Sequence, residues 1–103
     1  ANYLSLADEP YLIQIIAPKK ALEFYINAIS NEHLVGDEMI SDEQVQQIKA
    51  LGFETAPRSG DFTITLPFGR DKSNYQKGAE IIDKLMEIYG MKPKKVDEEL
   101  FLE

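Results

Sequence analysis

The chain has no cysteine, a single histidine, fewer basic than acidic residues and no long apolar run, and each shortage removes a class of function. Without cysteine there is no disulfide, no thiol nucleophile and no thiolate metal site, which fits a reducing compartment and sets the expectation of a cytoplasmic protein. With 11 Lys and Arg against 18 Asp and Glu, the net charge is −7. That argues against nucleic acid as a partner, because phosphate binding needs a positive surface, and it would suit a basic protein partner. The longest apolar run, Tyr11–Ile13 with Ile15–Ala17, is interrupted by Gln14 and falls far short of the ~20 residues of a membrane helix. No membrane partner is expected. The N-terminus has no basic region followed by an apolar one, so no signal peptide is read. A start at Ala1 in place of Met fits a processed chain or a piece of a longer one.

Reactive constellations are missing as well. His33 stands beside Glu32, Asp37 and Glu38, but NEHLVGDEM has neither the spacing of a transition-metal site nor the alternating oxygens of a calcium loop. No metal and no cofactor are expected. Ser30, Ser41, Ser59 and Ser73 lack the context of a nucleophile. Adjacent acids such as Asp42 and Glu43 point in different directions along a helix, so acid–base catalysis has no support. The expectation is a protein that is not an enzyme.

What is present is enough for one small core: 103 residues, 44% hydrophobic and 28% charged, too apolar for a disordered chain. Residues 1–10, ANYLSLA closed by Asp8–Glu9–Pro10, read as a loose arm or the remnant of a helix. Residues 11–91 read as a single domain and 92–103 as a charged tail with an apolar end. Tyr11–Ala17 is a β-branched run of the buried-strand kind, followed by a turn at Pro18–Lys20. Ala21–Ser30 fits two patterns. Leu22, Phe24, Ile26 and Ala28 alternate as in a strand, while Leu22, Tyr25, Ile26 and Ile29 share a helix face. The short turn before this stretch favours a hairpin, hence a strand.

After a polar stretch from Asn31 to Met39, a helix begins at Ser41, with Gln44 completing a capping box and Ile40 placed to staple onto Val45. Asp42 and Glu43 suit the positive end of its dipole. Val45, Ile48 and Leu51 form the inner stripe, and Gly52 ends it. Pro57 to Gly60 is a loop. Phe62, Ile64, Leu66 and Phe68 then alternate with Thr63, Thr65 and Pro67 as a strand with one buried face, which Pro67 marks as an edge or as ending there. Ser73 or Asn74 caps a second helix with Ala79, Ile82, Leu85, Met86 and Tyr89 inward, Ile81 and Ile88 on its flanks, and Gly90 as its stop.

Gly69–Arg70–Asp71–Lys72–Ser73, between strand and helix, imitates a phosphate loop. The motif requires a second glycine before the lysine, and Asp71 stands there instead. A weaker anion site from Arg70, Lys72 and Ser73 at the helix start supports an alternative reading, a small-molecule or anion-binding regulatory domain. In the tail, Leu100, Phe101 and Leu102 could dock elsewhere, add a strand to another subunit or pack on their own domain.

The succession YLIQ, AISNEHL, ISDEQVQQIKALGFE, DFTITLP and AEIIDKLMEIYGM resembles the type III secretion chaperone-like (TY-Chap) domains over about Tyr11 to Met91. The family's Ser-Asn element after a strand pair matches Ser30–Asn31. Its Leu-Gly-aromatic corner matches Leu51–Gly52–Phe53, with Phe where many members carry Trp. Its aromatic-led strand matches Phe62, and its closing Tyr/Phe-Gly matches Tyr89–Gly90. The family's N-terminal helix is short or missing, reduced to Ala1–Ala7. The resemblance implies a non-enzymatic domain that binds protein segments.

The fold expected is α+β, an antiparallel sheet with two helices packed on one face in the order β-β-α-β-α. The function expected is capture of a protein or peptide partner on a sheet edge or in an apolar groove. Phe62, Ile64 and Leu66 are the candidate strand, and Leu100, Phe101 and Leu102 are the candidates for self-association as a homodimer.

Overall fold

The computed structural model describes residues 2–17, 23–67 and 73–92, with the backbone alone at 2–4 and 73–75. The alternating segments become five strands: β1 Asn2–Asp8, β2 Tyr11–Ala17, β3 Glu23–Ala28, β4 Glu54–Thr55 and β5 Phe62–Pro67. They form one antiparallel sheet in the order β1-β2-β3-β5-β4. Two helices, α1 Asp42–Ala50 and α2 Ser73–Tyr89, complete an α+β fold. The expected order β-β-α-β-α is kept, with one strand added in front and a two-residue strand before β5.

The added front strand corrects the arm or helix remnant read for residues 1–10. Asn2 to Asp8 pair with Ala17 to Tyr11 residue for residue, and Glu9–Pro10, joined by a cis peptide bond, make the two-residue turn. The reason is period. Leu6 alternates with Ser5 and Ala7, and it lies opposite fully buried Ile13, so strand geometry buries the leucine and leaves the serine outside. The same logic settles 21–30 over the described part of that stretch. Glu23–Ala28 is a strand with Phe24, Ile26 and Ala28 buried and Tyr25 and Asn27 half-exposed. The turn expected at Pro18–Lys20 lies outside the described residues.

Cross-strand register puts Leu6, Ile13, Ala28 and Phe62 in one row and Ile15, Ile26 and Ile64 in the next. With Phe24 and Leu66 they build a single apolar face, all of it buried except half-buried Ile64. The helices cover that face. Ser5, Gln14, Tyr25, Asn27, Thr63 and Thr65 lie on the other one, where none is fully buried.

The start of α1 carries both bonds of the capping box, Gln44 N–H to Ser41 Oγ at 3.2 Å and Ser41 N–H to Gln44 Oε1 at 2.7 Å. Ile48 is its one buried residue, while Val45 and Leu51 are half-buried against the core. Gln44 also donates from Nε2 to the Ile88 carbonyl at 2.7 Å, tying α1 to α2.

The inner face of α2 is rotated from the expected one. Ala79 is exposed, and Ile81, read as a flank, is buried with Ile82, Leu85, Met86 and Tyr89. Position 78 takes the inward place, and it is tight: a Cβ there would meet the Phe24 ring at 3.2 Å, so the ring would have to give by a few tenths of an ångström. The helix backbone thus rests on the Phe24 ring of the central strand. At its other end Gly90 has φ +71°. Met91 N–H reaches the Met86 carbonyl at 2.8 Å and Gly90 N–H the Glu87 carbonyl at 3.1 Å, the paired bonds of a Schellman stop, with Met91 buried as its apolar partner. Ser73 is already the first residue of α2, so Ser73 and Asn74 lie within the helix and the cap read at one of them is displaced to a position before 73, outside the described residues.

Candidate functional site: the sheet edges and the corner beneath them

The structure separates the candidate residues. Phe62 and Leu66 are core residues whose side chains are already engaged, and Ile64 is half-buried against that core. β5 ends at Pro67 as expected; it lies between β3 and β4 only at Phe62 and Thr63, and Ile64 to Pro67 pair with β3 alone among the described residues. Arg70 and Lys72 lie outside the described residues, as does the side chain of Ser73. Leu100, Phe101 and Leu102 lie outside them too.

The edges are unlike each other. On one side β4 is only two residues long, both exposed and one of them Glu54. A tight loop follows, with Gly60 N–H on the Ala56 carbonyl at 2.9 Å and Ala56 N–H on the Asp61 carbonyl at 2.7 Å. Shortness and charge are the usual guards of an edge. On the other side β1 runs for seven residues, uncharged from Asn2 to Ala7, and it pairs only with β2 among the described residues. Its outer row of N–H and C=O groups is a template for another strand. The far end of β1 is anchored, since Lys92 N–H donates to Asp8 Oδ2 at 3.2 Å. Two surface clefts flank this hairpin. One, of about 630 Å³, is lined by Ala7, Pro10, Tyr11, Leu12, Ile29 and Glu38. The other, of about 210 Å³, is lined in part by Gln14, Asn27, His33 and Asp61.

The second cleft opens on a corner where Ser30, His33 and Asp61 meet. Ser30 donates to Asp61 Oδ1 from its backbone N at 3.0 Å and its Oγ at 3.2 Å. Its hydroxyl also accepts from Glu32 N–H at 3.3 Å. His33 Nε2 lies 3.5 Å from the same carboxylate oxygen and 3.1 Å from the Ser59 carbonyl. The three residue types of a hydrolytic triad are together in the wrong order. A nucleophile must give its proton to the imidazole; here the carboxylate stands between, and Ser30 is only 5% exposed. The corner is a clamp between the end of β3 and the start of β5. Among the described residues no group of three His, Cys, Asp or Glu could hold a metal.

Two further side chains hold the corner. Asn31 brackets Ile40, donating from Nδ2 to its carbonyl at 2.9 Å and accepting its N–H on Oδ1 at 2.8 Å. Tyr89 donates its hydroxyl to the Ile29 carbonyl at 2.6 Å and stacks on Tyr11 with ring centroids 5.4 Å apart. Tyr11 in turn donates to the Glu38 carbonyl at 3.0 Å. Ser30–Asn31 are marked in the sequence by the family resemblance, and Tyr89–Gly90 by helix spacing and a glycine stop as well. Asp61 has no such mark, because a single aspartate before a strand carries no pattern.

Burial, and secondly the Asp61 carboxylate, push the Tyr89 phenol well above the ordinary tyrosine range. Above about pH 10 the unfolded chain releases this proton while the folded chain keeps it, so the folded state binds more protons and stability falls as pH rises. The slope is about 1.4 kcal/mol per pH unit for one group, and below pH 10 the group adds no pH dependence. Tyr89→Phe is expected to lose about 1–2 kcal/mol at pH 8, because the Ile29 carbonyl loses its donor. The variant should then close that gap on the wild type as pH approaches 11. Urea titrations at the two pH values check this, and parallel alkaline slopes would refute it.

No family model, no curated protein and no solved structure matches this chain. Among the described residues no helix is long and apolar enough to cross a membrane.

Proposed function

We propose that this protein is a non-enzymatic, chaperone-like binding module of the cytoplasm that takes an extended segment of a partner protein as an added strand on β1. The observation carrying the reading is the inequality of the two edges: one is the two exposed residues of β4, including Glu54, continued by the short part of β5 from Ile64 to Pro67, which ends in a proline, while β1 offers seven residues with no charge before Asp8. Strand addition draws affinity from main-chain hydrogen bonds and specificity from alternate side chains. The partner's residues beside Leu6 would extend the helix-covered face, which favours an alternating apolar segment. The net charge of −7 favours basic residues flanking it. The likeness of Tyr11 to Met91 to TY-Chap domains supports the same reading.

Selection from a displayed library of random peptides tests it. Enriched peptides should alternate apolar residues between basic flanks, and binding should protect amides of β1 from hydrogen exchange. N-methylation at every second residue should abolish binding in one phase of the alternation and spare it in the other, since an added strand uses one of its edges. Selected peptides that protect α2 or β5 and leave β1 exchanging, or a selection that enriches nothing, would overturn the proposal.

A further inference from the structure

The β1 edge carries a second, more specific feature, the pattern of its own residues. Antiparallel pairing of β1 with β1 of another copy, about a two-fold axis normal to the sheet, keeps both sets of helices on one side. The axis must then run midway between the two copies of one residue, because directly opposite residues share a face. Centred on Ser5, it sets Leu4 opposite Leu6, Tyr3 opposite Ala7 and Asn2 opposite Asp8, each twice, and pairs all seven residues of the strand. By register, positions 4 and 6 fall on the helix-covered face and positions 3, 5 and 7 on the other. The one acidic position of the strand, Asp8, falls opposite an uncharged one at each end. An axis centred on Leu4 sets Leu6 against Asn2, and one centred on Leu6 sets Leu4 against Asp8; both leave two residues of the strand without a partner.

Charge permits the same approach. Two copies each carrying −7 repel over most of their surfaces, but Asn2 to Ala7 form an uncharged line between them. The two Asp8 residues fall at opposite ends of the paired strands, roughly 20 Å apart at ~3.3 Å per residue. That is more than twice the Debye length of about 8 Å at physiological salt. The other edge, exposed Glu54 and Thr55 of β4 followed by Ile64 to Pro67 of β5, has no uncharged, proline-free run of that length.

We propose that the occupant of the β1 edge at high protein concentration is a second copy of this chain, with the two-fold axis centred on Ser5 and the two five-stranded sheets joined into one. A copy seated there excludes a partner segment, so the dimer would gate the binding activity proposed above. In that consequence alone the inference rests on the earlier reading; the dimer does not require it. A single strand pair is at the low end of interface sizes, so dissociation constants of about 1–100 μM are expected.

Sedimentation equilibrium over about 5–500 μM protein reads this directly. Ser5 is exposed, so it can be exchanged without disturbing the core. Ser5→Lys and Ser5→Glu would each place like charges directly opposite one another. Each is expected to weaken self-association at least tenfold, and an equimolar mixture of the two is expected to form a heterodimer at least as tight as the wild-type dimer. A misfolded variant would not be rescued by mixing. A wild type that stays monomeric throughout, variants that dimerise unchanged, or a mixture that fails to associate would each overturn the proposal. Peptide selection on the same protein keeps the two readings apart. A dimer that selects no peptide sinks only the binding module, and a monomer that binds peptide along β1 sinks only the self-pairing.

Discussion

Phe24→Ala is expected to cost about 3–5 kcal/mol, the largest effect of any single truncation in this fold. A domain of this size has about 5–15 kcal/mol in total, so the variant should be partly unfolded at 37 °C. Phe24 is 1% exposed on β3, the middle strand of the sheet, and it lies opposite Leu66. Its ring also bears the backbone of α2 at Gly78, where even a methyl would lie 3.2 Å away. A void under that contact cannot close easily. β3 is held by ladders on both sides, and the far end of α2 is pinned through Tyr89 to Ile29 and, just past the helix, through Lys92 to Asp8. The sheet and helix cannot move together to fill the gap, which is the condition under which cavity costs reach the top of their range. Thermal unfolding followed by circular dichroism should show a fall in midpoint on the order of 20 °C. A loss under about 1.5 kcal/mol would mean that α2 can settle onto the sheet after all.

Much of this architecture was legible in the residues. Ser41 and Gln44 announced the start of α1 because a capping box is local chemistry, complete within four positions. Ile82, Leu85, Met86 and Tyr89 announced α2 by their spacing. The misreadings share one cause, which is information held by another part of the chain. Residues 2–8 alternate correctly, but Glu9–Pro10 is not among the usual hairpin signals, and only the ladder to β2 makes the alternation binding. Ala79 reads inward by its spacing from Ile82 and Met86, whereas the position that faces Phe24 is Gly78, where a Cβ would press on the ring at 3.2 Å. Phe62, Ile64 and Leu66 read as a binding strand because Pro67 suggests an edge or an end. The strand does end there, and β4, two residues long and invisible to periodicity, pairs only with its start at Phe62 and Thr63, while Phe62 and Leu66 turn their side chains into the core.

The proposed site is less legible than the fold, for a physical reason. A site made from side chains leaves residue types in a pattern, and a strand edge is made from backbone. What the sequence can show is the lack of a guard: no lysine, no proline and no charge from Asn2 to Ala7. That lack becomes informative only when the strand is known to be outermost. The Ser30–His33–Asp61 corner teaches the converse. Its residue types suggest chemistry, and only the hydrogen-bond order shows a clamp.

The clamp's second half yields the other large effect. Asn31→Ala removes both hydrogen bonds to Ile40, whose N–H and carbonyl have no substitute in that loop. Ile40 itself is 5% exposed, so water reaches these groups poorly and each orphaned one is costly. A loss of about 2–4 kcal/mol is expected. The loop from Asn31 to Ile40 contains two single 3₁₀ turns and has no strand to hold it; the asparagine side chain does the work of a neighbouring backbone. Asn31→Asp separates this account from one in which any polar side chain would serve. A carboxylate can still accept the Ile40 N–H, but it sets a second acceptor against the Ile40 carbonyl, so at pH 7 it should be nearly as damaging as alanine. Protonation supplies a donor and restores the pair, which means the folded state would raise the introduced acid's pKa. Stability relative to wild type should then recover as pH falls below that raised value. Urea titrations of the wild type and both variants at pH 7 and pH 4.5 decide the matter. Equal penalties for Asn31→Asp at the two pH values would show that Ile40 is held by its burial and not by the amide.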